Sequence, residues 1–405
     1  MECYTLIRQS RVFAYFVCAF FALASAYYIL EMINGRNQMA DFRVYYDACN
    51  QFLDGAQVYG QSYGVSSGFY KYSPLALIPF IPLAVLPYGI ASVIYYLLVM
   101  FFFVEVAAQI FRVLQVPESG KKTVWFIILL SLFAIDHIER ELHLGNVNLF
   151  LLVLCFWLMR SLSLGASFQS AIALSMLLLF KPHFLVLVPL LLWRIRWKEL
   201  LYTAVFITIG VLLPAVYTGW NGNLALLHDW MSAIREHNTA LESSPNTIYG
   251  LINSLISVCS IPVKGWIVVL VGLVITAIFA LLYLLNTRVV LPDKRRWYLE
   301  IFMVVALIPN LTHTDTEHFI WSWPLIGFVV WNLLVLKYRW RPLYIILMAL
   351  AFVPYVVNSP DIVGKEMMLL FDQGGGLGIS NLIFVILSFL LVYFHRDEMK
   401  RQIQG

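Results

Sequence analysis

The chain has 405 residues, of which 61% are hydrophobic and only 12% charged, about half the charged share of a soluble domain. Apolar runs recur along the whole length without alternation, which excludes both a soluble domain on a single anchor and a β-barrel. The formal net charge of +4 reads as topology and gives no case for nucleic acid.

The first apolar run, Val12 to Leu30, is long enough to cross a bilayer, which takes roughly 20 residues. Glu31 and Met32 follow it without a small-residue cleavage site, so a retained span is expected in place of a leader. The first outer loop then covers 31–88. It contains "DFRVYYDACNQFLDGAQVYG" (41–60) and ends in "LALIPFIPLAVLP" (75–87), whose three prolines predict a re-entrant or interfacial piece. Further spans are predicted at 89–111, 123–135, 147–160, 168–180, 184–193, 199–218, 265–285, 297–311, 319–336, 342–357 and 380–394. The fold class is an all-α polytopic membrane protein, one integral domain over 1–405 with about 12 transmembrane helices. A large outer loop lies at 219–263, and no internal repeat or soluble domain intervenes.

With the N-terminus in the cytoplasm, most of the 27 basic residues fall inside, including Arg8, Arg11, Arg112 and the groups at 194–198 and 294–296, as the positive-inside rule requires. Both termini are then cytoplasmic. Most acids, and every histidine except His395, fall outside, so the chemistry is expected on the outer face. Glu105 is almost the only ionisable residue within the predicted spans. A coupled transporter buries acids or bases near the midplane, so a lipid or glycan flippase or transporter is the disfavoured alternative. A lipid phosphatase is the other rival, permitted by the outer histidines but without an arginine–histidine signature.

The five cysteines have no metal spacing. A bridge between Cys49 and Cys259 is possible, and free thiols are expected. "WRIRW", "DKRRW" and "KYRWR" abut spans on the cytoplasmic side, where headgroup contact accounts for them. "DTE" (315–317) is a poor match to a metal-binding Asp-x-Asp. Read alone, Asp41 is a loop acid or a helix-start residue, the tyrosines are interfacial anchors, and Asn146 and Asn148 are helix caps. Lys181 is less easily explained, because it lies between two apolar runs, where a charge needs a partner.

The order of these stretches carries a resemblance. An aspartate follows the first span, then come "LDGAQVYG", "FYKYSPLALIPF", "LGNVNLFLL", "LLLFKPHFLVLVPLLLWRIRW" and "SPNTIYG", and a histidine-bearing loop precedes a late span. Over about 40–335 this resembles glycosyltransferase family 87, whose typical members are type C α-mannosyltransferases using polyprenyl-phosphate mannose. The resemblance implies a type C glycosyltransferase-like bundle in a bacterial-type inner membrane. It also implies transfer of a hexose, mannose first, from a polyprenyl-phosphate sugar donor to a lipid-linked or envelope glycan acceptor, with inversion and Asp41 as catalytic base. The chain departs from the family pattern in "LTHTDTEHFIW", where His313 and His318 are separated; His318, next to the span, is given the family role.

The chemistry agrees with that assignment. An acceptor hydroxyl is a poor nucleophile and needs a base. A lipid phosphate leaves as a stable anion, so no metal or other cofactor is expected, but it needs cationic or hydrogen-bonding partners. Lys181, His183, His318, Arg140 and Lys71 are the candidates for that role. Asn146, Asn148 and Asn246 are candidates to bond sugar hydroxyls, and Tyr45 to stack on a sugar face. The expected partners are the donor, the acceptor and membrane lipids.

Overall fold

The computed structural model describes residues 2–36, 39–64, 68–237, 244–259, 263–312, 315–336, 340–356 and 363–395. Apart from one short antiparallel hairpin, Ser62–Tyr63 on Gly68–Phe69, the regular elements among them are helical. The chain divides into two compact units. One comprises Met1–Arg8, Phe13–Gln109 and Ile138–Asn238; the other comprises Gln9–Val12, Ile110–His137 and Thr239–Gly405.

Five helices are long and apolar enough to cross a membrane: Arg11–Ile33, Tyr88–Val113, Gly265–Val289, Thr316–Val335 and Gly376–Phe394. Two sharply bent pairs, Lys121–Leu144 with Asn148–Ser163 and Trp197–Leu212 with Ala215–Arg235, raise the number to seven if each is one span. The protein is therefore an all-α polytopic membrane protein. Several of the dozen predicted spans are helices too short to cross alone, among them Ser167–Phe180 and Arg341–Val356. The proline-rich segment forms a 3-10 turn, Pro74–Phe80, and one α-turn, Ile81–Ala84. Proline removes backbone donors and blocks a longer helix there.

The largest local difference from the sequence reading is at 136–144. "DHIERELHL" was expected to be an outer loop, but it continues the helix Lys121–Leu144. No glycine or proline interrupts the run before Gly145, whose φ of +68° ends it. Glu105 faces the protein interior as expected, accepting the backbone N–H groups of Glu2 and Cys3 at 3.1 Å each. It is not almost alone: Glu199 and Glu300, inside the predicted spans 199–218 and 297–311, and Glu141 are also buried. Glu199 accepts from Ser167, and Glu300 from Thr287. Scarcity of internal charge is thus a weak argument against transport, and the function has to be read from the site. The cysteines are free thiols, Cys49 buried and Cys259 exposed, so they form no bridge.

Burial separates the helices by role. Only 11% of the apolar window of Arg11–Ile33 is covered by protein, against 89% for Thr316–Val335. The first turns its oily surface outward, where lipid would meet it, and the second forms the core of its unit. In that unit Gly376–Phe394 packs on Asp293–Leu311, Trp323–Val335 and Arg341–Val356. In the other, Ser167–Phe180 packs against both Asn148–Ser163 and Trp197–Leu212.

Candidate active site

Asp41 lies in the first turn of the helix Ala40–Leu53, where the helix dipole favours a carboxylate. Phe42, Tyr45, Ala48, Cys49 and Phe52 are its buried stripe, at the three- and four-residue spacing that seats a helix on a core. Met39 precedes the helix in a left-handed conformation, φ 39° and ψ 57°. The other acids of this segment are accounted for: Asp47 accepts from Arg43 at 2.7 Å, and Asp54 is exposed. Arg43 in turn lies 4.3 Å over the Tyr88 ring. Asp41 is half-buried and has a different partner.

That partner is the turn "LGNVN". Asn146 donates from Nδ2 to Asp41 Oδ2 at 2.6 Å, and its own Oδ1 accepts the Val147 N–H at 2.7 Å. With the oxygen committed to Val147, the amide can present only its NH₂ to the acid. The Tyr95 hydroxyl donates to the Asn146 carbonyl at 3.2 Å and steadies the same residue. Two positions on, Asn148 accepts from Lys181 Nζ at 2.8 Å and donates to Glu141 Oε1 at 2.5 Å. Neither asparagine is a helix cap, since Val147 holds that position without a side-chain bond. A three-residue turn therefore holds the acid through one amide and the lysine through another.

Gly145 makes the turn possible. A Cβ there would sit 2.8 Å from Phe42 Cβ and 2.9 Å from Met39 Cε, at a φ that side chains rarely adopt. Gly145→Ala is expected to lose about 2 kcal/mol or more of stability and to lose transfer even where it remains folded. Thermal unfolding and activity below the transition measure the two separately. A variant with wild-type activity would show that the turn need not hold Asn146 against Asp41.

Lys181 is 4% exposed. It sits in extended backbone between the helix Ser167–Phe180 and the 3-10 turn Pro182–Val186, with Nζ 5.7 Å from the centre of the Tyr72 ring. The Tyr72 hydroxyl is 3.0 Å from that of Tyr45. The ring of Tyr45 packs on Phe80 and Tyr72. Burial pushes its phenol well above the usual tyrosine range, with Tyr72 and Asp41 adding to the effect. Tyr45 therefore stays protonated and serves as a hydrogen-bonding group, never as a base.

Of the residues predicted from sequence, the structure brings Asp41, Tyr45, Asn146, Asn148 and Lys181 into this linked set within one unit. Lys71, Arg140 and His183 belong to the same unit, each half-buried beside a member of the set in sequence. Lys71 also receives the Trp230 indole N–H on its carbonyl. Asn246 and His318 belong to the other unit. Asn246 takes the Gly378 N–H on its side-chain oxygen and the Asn310 amide on its carbonyl, so its visible task is to hold the start of the helix Gly376–Phe394. His318 is buried against Trp321, and with Asp315 and Glu317 it forms a group whose ligand atoms lie within 4.8 Å of one another and could hold a metal ion. His313 lies outside the described residues. Sequence reasoning did not single out Glu141, Tyr72 or Tyr95. The available signal was Glu141, an acid one helical turn before a glycine stop that is followed by two asparagines.

A buried lysine and an amide-oriented carboxylate thus share one turn on a polytopic helical scaffold. The family model of glycosyltransferase family 87 matches residues 69–309, and the chain belongs to that family. It is thus a membrane glycosyltransferase, with a sugar donor and a glycan acceptor. The matched stretch contains Glu141, the "LGNVN" turn and Lys181, and it begins after Asp41. No curated protein matches the chain.

Proposed function

We propose that this glycosyltransferase moves a hexose, with mannose the first candidate, from a polyprenyl-phosphate sugar to a lipid-linked or cell-envelope glycan, on the outer face of a bacterial-type inner membrane with both termini in the cytoplasm. Asp41 is the general base of a single displacement. The acceptor oxygen bonds to the anomeric carbon as its proton passes to the Asp41 carboxylate. The bond from that carbon to the phosphate oxygen breaks, and the lipid phosphate leaves with the electron pair. One displacement inverts the anomeric centre. Lys181 offsets the charge that develops on the phosphate, aided by Lys71, Arg140 and His183. Asn146 and Asn148 orient the two charged groups, and Tyr45 acts through Tyr72.

The observation that carries the reading is the shared turn, with Asn146 on Asp41 at 2.6 Å and Asn148 on Lys181 at 2.8 Å. A carboxylate with one oxygen fixed is pre-aimed, and a buried ammonium is far more effective than a solvated one. The leaving phosphate is already a stable anion, so this route does not call on a metal.

The test is transfer by the purified enzyme from polyprenyl-phosphate mannose, glucose and arabinose, each with and without EDTA, beside nucleotide-sugar controls. The expected result is turnover with a polyprenyl-phosphate hexose, insensitive to EDTA, giving a product of inverted configuration. Use of a nucleotide sugar alone, or retention of configuration, would contradict the proposal. Inhibition by EDTA would instead give the Asp315–Glu317–His318 group a part in turnover.

A further inference from the structure

The stretch "DKRRW" (293–297) was accounted for by topology alone, but Arg295 also has a structural position. In the second unit, several chain segments meet: the close of Tyr88–Val113, Leu291, the first turns of Asp293–Leu311 and the last turns of Trp323–Val335. They surround a cavity of about 210 Å³. Its walls include Phe302, Phe328 and Trp331, and its polar groups are Gln115, Arg295, Tyr298 and Asn332. No acidic residue is among the described lining residues.

The Arg295 guanidinium donates to the side-chain oxygen of Gln115. Gln115 has a φ of +52°, a left-handed conformation that side chains disfavour. A neutral amide does not cancel a guanidinium, and burial works against the Arg295 charge. Arginine cannot relieve this by losing its proton, so an anion in the cavity would stabilise it. The cavity is smaller than the roughly 300–1,000 Å³ of pockets that enclose a whole small ligand, and it therefore suits one end of a larger one. Aromatic walls beside the Arg295 guanidinium suit a phosphate attached to an apolar body. Basic pockets between membrane helices recognise anionic headgroups in this way, and a guanidinium fork matches phosphate oxygens.

We propose that this cavity seats the head region of an anionic glycerophospholipid, its phosphate on Arg295 beside Gln115 and Tyr298, and the start of its chains against Phe302, Phe328 and Trp331. The site shares no residue with the Asp41 set and does not depend on the donor assignment.

The experiment uses delipidated full-length protein in detergent and reads both thermal unfolding and lipid retention by native mass spectrometry. Phosphatidylglycerol, phosphatidylcholine, polyprenyl phosphate and inorganic phosphate are added in separate arms. Phosphatidylglycerol is expected to raise the midpoint by several degrees through linkage and to be retained, while phosphatidylcholine and inorganic phosphate do neither. Arg295→Gln removes the cation and Val335→Trp fills the cavity; each should abolish the shift relative to its own baseline. Arg288→Gln, which removes an exposed charge outside the cavity, should retain it. The proposal is overturned if wild type shows no shift, if the shift survives both cavity variants, or if Arg288→Gln loses it equally. An equal effect of inorganic phosphate would mark a soluble-anion site, and a shift with polyprenyl phosphate alone would mark a donor-lipid site. Either of those also overturns the glycerophospholipid assignment.

Discussion

Asp41→Asn is expected to abolish sugar transfer while leaving the protein folded. The substitution keeps the side-chain shape, and the new amide oxygen can still accept from Asn146 across the 2.6 Å contact seen for the carboxylate. Stability should therefore change by less than about 1 kcal/mol, the scale of one exchanged hydrogen bond. What is lost is the capacity to take a proton. A positioned general base contributes about 10²- to 10⁴-fold, and kcat should fall by that factor with little change in donor KM. Asp41→Glu is expected to retain partial activity, because the longer side chain can still take the proton but cannot keep both its tie to Asn146 and its aim. An Asp41→Asn enzyme that turns over at the wild-type rate would remove Asp41 from the mechanism.

Lys181→Met is the second large effect, and it separates charge balance from catalysis. Lys181 and Glu141 are both buried and both bonded to Asn148. Removing the lysine alone unbalances two buried charged groups that meet through Asn148, at a cost of about 3–5 kcal/mol. Adding Glu141→Gln to Lys181→Met removes the orphaned charge and should recover most of that stability. Transfer should not recover, because the group that offsets charge on the leaving phosphate is still missing, a loss of about 10²- to 10³-fold. If activity returned together with stability in the double variant, Lys181 would be a structural ion and not a participant. The non-additivity of the pair, measured as a cycle, gives the coupling directly.

Much of this arrangement could be read from the sequence, and the parts that could not have physical reasons. The all-α polytopic class follows from unbroken apolar runs, which admit no other spanning structure. Asp41, Asn146, Asn148 and Lys181 could be singled out because polar groups between apolar runs require partners. Which partners they take could not be seen, since the contacts between Asp41 and Asn146 and between Lys181 and Asn148 join residues far apart in the chain. The continuation of the helix through "DHIERELHL" was hidden by its polarity. Composition there suggests a loop, whereas the backbone has no reason to stop before Gly145. Glu141 was obscured with it, one acid among several in a polar stretch, although it accepts a hydrogen bond from Asn148. Tyr72 and Tyr95 were indistinguishable from interfacial anchors, because the hydroxyl contacts that set them apart are made across the fold. The short apolar runs at 168–180 and 184–193 read as crossings in sequence, whereas the first is a 14-residue helix and the second is divided between the 3-10 turn Pro182–Val186 and the short helix Leu187–Trp193.

In the proposed mechanism a single turn, Asn146 to Asn148, aims a base and a cation at the same reacting bond. The most direct measurement is a structure of the full-length enzyme with a non-transferable donor, a C-linked mannosyl polyprenyl phosphonate, bound beside the acceptor. A phosphonate oxygen is expected about 2.7–3.2 Å from Lys181 Nζ, with the acceptor hydroxyl at the same range from the Asp41 carboxylate. A donor whose phosphonate rests elsewhere, with Asp41 facing no hydroxyl, would contradict it.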